Sequence, residues 1–86
     1  MDLTLQLVLV DSGEEGEGRL VFRDGRLVAV LVRLSELHGD QAGCWFLEKG
    51  FGLLDGPQHP SFADLDAATA WIKARLADNF RTSHWP

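Results

Sequence analysis

An Asp-Gly pair between two alternating apolar runs constrains this chain more than any other stretch. The segment reads Gly18-Arg19-Leu20-Val21-Phe22-Arg23-Asp24-Gly25-Arg26-Leu27-Val28-Ala29-Val30-Leu31-Val32. Asp-Gly is the preferred filling of a two-residue hairpin turn, because both positions need backbone conformations that side-chain crowding disfavours elsewhere. Such a turn sets register as well as secondary structure. It predicts Arg23 opposite Arg26, Phe22 opposite Leu27, Val21 opposite Val28, Leu20 opposite Ala29 and Arg19 opposite Val30. One face of the hairpin then carries Leu20, Phe22, Leu27, Ala29 and Leu31, and is expected to be core. The other carries Arg19, Val21, Arg23, Arg26, Val28, Val30 and Val32, and is expected to be a contact surface.

Strand signals extend to either side. Leu3-Thr4-Leu5-Gln6-Leu7-Val8-Leu9-Val10 places leucine at alternate positions, the period of a half-buried strand. Residues 11–18 contain three glycines and four acids and no apolar residue, so they read as a solvated loop. Residues 35–43 read as a loop with a short helical turn near Ser35 to Leu37. The aromatic run Cys44-Trp45-Phe46-Leu47-Glu48 predicts a fourth strand turning at Lys49-Gly50, and Phe51-Gly52-Leu53-Leu54 a short fifth. Two prolines and a glycine in residues 55–60 then break the pattern. The expected strands are about 3–10, 18–23, 26–34, 44–48 and 51–54.

A helix over about 62–79 completes the pattern. Leu65, Ala68, Ile72, Leu76 and Phe80 recur at three- and four-residue steps with Trp71 beside them, the spacing of an apolar stripe. Ser61 or Asp64 can accept hydrogen bonds from the free amides at its start, and Asn79 can end it. Asp64 and Asp66 suit the positive end of the helix dipole, and Lys73, Arg75 and Arg81 the negative end. The predicted fold is a single α+β domain, residues 1–86. It is an antiparallel four- to five-stranded β-meander with one C-terminal α-helix packed on one face. One helix covers one face of a sheet and leaves the other bare. Placing the helix on the uncharged Leu20, Phe22, Leu27, Ala29 and Leu31 side leaves valines rimmed by arginine on the bare side, the look of an interaction surface. The competing reading is that the sheet curls over itself, or that β-branched residues serve strand propensity alone.

Composition narrows the function classes. Eighty-six residues hold one core, and a 45% apolar content with modest charge excludes a disordered chain. A formal net charge of −5 argues against whole-molecule attraction to nucleic acid or anionic membrane. The longest apolar run, from Leu27 to Val32, is far shorter than a membrane-spanning helix. A lone Cys44 and a start without a basic segment favour the cytoplasm.

Chemistry-bearing groups are sparse. Cys44 with His38, Asp40 and His59 supplies the residue types of a thiol nucleophile or a zinc site, but no Cys-x-x-Cys or His-x-x-x-His spacing supports either, and a strand thiol behaves as a small hydrophobe. The loop from Asp11 to Glu17 lacks the ordered oxygens of a calcium loop. Gly50-Phe51-Gly52 and the glycines at 13 and 16 join no strand to a helix start, as a phosphate cradle would. Glu48 and Lys49 have no paired carboxylate for acid–base work and read as a solvated edge. No catalytic residue, metal or cofactor is expected.

Trp45, Phe46 and Phe51 with Arg19, Arg23 and Arg26 offer an alternative, a stacking platform beside phosphate contacts. The strands followed by Phe62-x-x-Leu65-x-x-Ala68-x-x-Trp71-Ile72 are similar to the small three-stranded-sheet-plus-helix DNA-binding domains of site-specific recombinases, over the second half of the chain only. That resemblance implies a nucleic-acid-binding module. A third reading is an acidic inhibitor or immunity-type protein steered to a basic partner by charge. The leading expectation is a non-enzymatic interaction module that forms a homodimer or docks a protein partner through the sheet face without the helix. The tail Arg81-Thr82-Ser83-His84-Trp85-Pro86 either docks through its tryptophan or frays.

Overall fold

A computed structural model describes the backbone of residues 2–11 and 16–82, and their side chains apart from 36–38 and 78–82. Most of the acidic loop and the end of the tail lie outside the described residues. The strands are β1 (Leu3–Leu9), β2 (Glu17–Arg23), β3 (Arg26–Arg33), β4 (Trp45–Gly50) and β5 (Ser61–Phe62), followed by one helix, α1 (Leu65–Thr82). They form one antiparallel sheet in the order β1-β2-β3-β4-β5, so sheet order is chain order. The α+β meander with a C-terminal helix is as the periodicities predict.

The β2–β3 turn follows from its sequence. Asp24 has φ 52° and Gly25 φ 79°, the two left-handed positions of a type I′ turn. Arg23 pairs with Arg26 and Phe22 with Leu27, as expected. The register then slips by one residue: Val21 pairs with Ala29, Leu20 with Val30, Arg19 with Leu31 and Gly18 with Val32. Val28 is the extra residue of a β-bulge. Its carbonyl accepts a hydrogen bond from the Phe51 backbone N–H at 2.9 Å, which gives the displaced backbone a partner. A second irregularity falls between Val30 and Leu31, where Val30 pairs with Lys49 and Leu31 with Leu47, so Glu48 is extra in β4.

The slip corrects the expected faces. α1 packs on Val21, Ala29, Leu31, Trp45 and Leu47, and Val28 and Leu54 complete the core with Ala68, Ile72 and Leu76 of the helix. The Leu20 and Phe22 side, expected beneath the helix, is the bare one. The helical stripe itself is as predicted, with Ala68, Ile72 and Leu76 buried and Leu65 and Trp71 packed at its margin. Each large side chain so buried contributes about 1.5–3 kcal/mol.

Several boundaries differ from expectation. β4 runs on through Gly50, and residues 51–54 are not a strand: Gly52–Leu54 is a 3-10 turn that curls back over β4 and buries Leu54. Gly50 makes room for it, since a Cβ there would lie 2.7 Å from the Leu54 carbonyl carbon. The fifth strand is instead Ser61–Phe62, pairing Trp45 with Phe62 and Phe46 with Ser61. α1 therefore starts later than expected. Asp64 is its cap, with Oδ1 accepting from the Ala67 N–H at 2.8 Å, while Ser61 belongs to β5. The helix continues past Asn79 to Thr82.

Candidate interaction surface

Alternation along each strand assigns the bare face. It carries Thr4, Gln6 and Val8 from β1, Leu20 and Phe22 from β2, Leu27, Val30 and Val32 from β3, and Phe46 from β4. Register makes these neighbours: Phe22 lies between Thr4 and Leu27, Leu20 between Gln6 and Val30, and Val32 between Gly18 and Phe46. Leu20, Phe22, Leu27, Val30 and Phe46 are half-buried and Val32 is buried, although none belongs to the core cluster beneath α1. Exposed Thr4, Gln6, Lys49 and Ser61 form a polar margin. At the Phe46 end the His59 ring stacks on the phenyl ring, with centroids 6.0 Å apart. His59 Nδ1 lies 2.9 Å from the Leu47 carbonyl oxygen, so the Nδ1–H tautomer donates there and ties the Pro-rich loop to β4.

Of the residues predicted for the contact surface, the structure brings only Val30 and Val32 to the bare face. Val21 is fully buried under α1, and Val28 is in the core as the bulge residue. Arg19 and Arg23 share the Val21 face of β2, and Arg26 is exposed beside the turn. Four residue steps along the strand separate Arg19 from Arg23, about 13 Å. Leu20, Phe22, Leu27 and Phe46 are the surface residues that sequence reasoning missed. A usable signal lay in β1: its leucine stripe pairs Leu5 with Val21 and Leu3 with Arg23, which puts Val21 on the leucine side.

Arg19 is fully engaged where it sits. Its guanidinium lies 3.2 Å from the Glu17 carboxylate, donates to the Gly18 carbonyl at 3.0 Å, and stacks 5.1 Å from the Trp45 ring centre. Glu17 also lies 3.6 Å from Arg33. One carboxylate thus serves two arginines, and Trp45, expected as a stacking platform, is buried beneath one of them. Arg23 and Arg26 face each other across the turn, on the same side of the sheet as Arg19. On β1, Leu7 is 61% and Leu9 83% exposed.

Of the thiol and zinc residue types named from the sequence, the His38 side chain lies outside the described residues. Cys44 is a half-buried free thiol just ahead of β4, and its backbone N–H donates to the Gln41 carbonyl at 2.9 Å. Among the described residues no three His, Cys, Asp or Glu side chains are grouped to hold a metal. Gly50 and Gly52 shape the turn after β4. A pocket of about 290 Å³ lies between residues 54–58 and the Trp71 ring, on which the Arg75 guanidinium stacks at 5.0 Å. Asp55 in its wall pairs with Lys49 at 3.6 Å. Among the described residues no helix is long and apolar enough to cross a membrane. Comparison with protein-family models, with curated proteins and with solved structures finds no match to this chain.

Proposed function

We propose that this chain is a small, non-enzymatic protein-interaction module whose binding surface is the bare face of its sheet, used by a second copy or by another protein. The observation that carries the reading is an open five-stranded sheet with a helix on one side only. Its other side has an apolar centre of Leu20, Phe22, Val30 and Phe46 and a polar margin. Aromatic and aliphatic side chains desolvated at the middle of such a patch are the usual source of binding energy. The half-buried free thiol of Cys44 supports a cytoplasmic setting.

The test is the solution mass by light scattering, over a range of concentration and at two salt concentrations, for the wild type and for Val30→Asp. Val30 is opposite Lys49 in register, so a carboxylate there has a cation at hand and the fold should persist. If the bare face joins the copies, association disappears in Val30→Asp with the circular dichroism unchanged. A folded Val30→Asp that associates as the wild type does overturns the reading.

A further inference from the structure

β1 is an edge strand, so one side of its backbone carries N–H and C=O groups that no described strand pairs. Proteins ordinarily blunt such an edge with charge, proline, a bulge or brevity. The opposite edge obeys that rule, since β5 has two residues and follows Pro60. β1 does not. Its seven residues, Leu3-Thr4-Leu5-Gln6-Leu7-Val8-Leu9, contain no charge, proline or glycine, and they pair with β2 without a break from Leu3 opposite Arg23 to Leu9 opposite Glu17.

The same seven residues read almost alike in both directions about Gln6. Leu3 mirrors Leu9, Leu5 mirrors Leu7, and Thr4 and Val8 are both β-branched. An antiparallel strand of identical sequence, centred on Gln6, therefore sets leucine opposite leucine on one face and Gln6 opposite Gln6 on the other. Burial gives the match its driving force. Leu3 and Leu5 pack against the core, whereas Leu7 and Leu9 are the two most exposed large apolar residues described. The two-fold places each exposed Leu7 beside the partner copy's Leu5 and each Leu9 beside its Leu3. A slip by one residue would set leucine against threonine, glutamine or valine and lose the row. With no charge in the strand, two copies of a chain of net charge −5 meet there without direct repulsion.

We infer that β1 is a self-docking edge: it pairs antiparallel with β1 of a second copy about Gln6, joining two sheets into one with both helices on the same side. This does not rest on the bare-face reading, because an edge and a face are different surfaces. The test uses the full chain. The wild type should have twice the 9.5 kDa mass of the chain in light scattering, and Leu7→Lys with Leu9→Lys should return it to monomer with unchanged circular dichroism. In a Cys44→Ser background, Gln6→Cys should form an interchain disulfide on mild oxidation, while Thr4→Cys, opposite Val8, should not. A wild type that stays monomeric at every concentration overturns the inference, as does a lysine variant that remains dimeric. Val30→Asp separates the two surfaces. A dimer that survives it supports the edge, and one that it abolishes while the lysine variant keeps it overturns the edge in favour of the face.

Discussion

Val21 and Phe22 are neighbours in β2, yet Val21 is completely enclosed and Phe22 is only partly buried. Val21 meets α1 and Phe22 meets no second layer. Hydrophobicity cannot explain the difference, because the phenyl ring is the larger apolar group. The number of layers does: a single helix can shield one side of a sheet, and large side chains that alternate to the other side, such as Leu20 and Phe22, keep part of their surface in water. Apolar character on that bare side is therefore not accounted for by the fold, which is what makes it informative about function.

The comparison breaks most directly if one substitution is placed on both sides. Leu31→Ala removes a fully buried side chain beneath α1 and should cost about 2–5 kcal/mol in urea unfolding. Leu20→Ala removes a partly buried one from the bare face and should cost less, about 1 kcal/mol, since part of its surface stays in water and no enclosed cavity is left behind. Similar costs at the two positions would mean that Leu20 and Leu31 share the face beneath the helix, as in an unbulged hairpin. Gly50→Ala comes next, at about 1–3 kcal/mol, because the new methyl group meets the Leu54 carbonyl and must push the 3-10 turn off the core. Asp64→Ala should cost about 1 kcal/mol by leaving the Ala67 N–H without its cap, a change seen as fraying at the helix start in amide exchange. Smallest is Arg19→Ala, about 0.5–1 kcal/mol, from losing the stacking on Trp45 and one of Glu17's two partners. Tryptophan fluorescence should register the change at Trp45 even where the unfolding midpoint barely moves.

Sequence pattern made the architecture legible where one physical signal dominates. The Asp24-Gly25 turn, the leucine alternation of β1 and the Ala68, Ile72 and Leu76 stripe each admit a single geometry. The faces of β3 were not legible, because Leu27 to Val32 is apolar at every position and a bulge at Val28 changes nothing in its pattern. Side-chain direction has a period of two, so that one extra residue sent Val30 and Val32 to the opposite side from Val21. β5 escaped notice for a different reason. Two residues after a proline carry no periodicity, and their strand character comes from pairing with Trp45 and Phe46 rather than from propensity. The same slip moves the bare face: Val30 and Val32 lie on it with Leu20 and Phe22, while Val21 and Val28 lie in the core.

The agreement of sheet order with chain order carries a kinetic consequence. Each strand pairs with its neighbours in sequence, and β2 and β3 are joined by the tightest turn the backbone allows, so little loop entropy is lost before contacts begin to form. Pairing can spread outward from Asp24-Gly25 strand by strand, without waiting for distant parts of the chain to meet. For a domain so rich in sheet, this places folding toward the fast end of its class, and it shortens the time during which the apolar strands are exposed to one another between molecules.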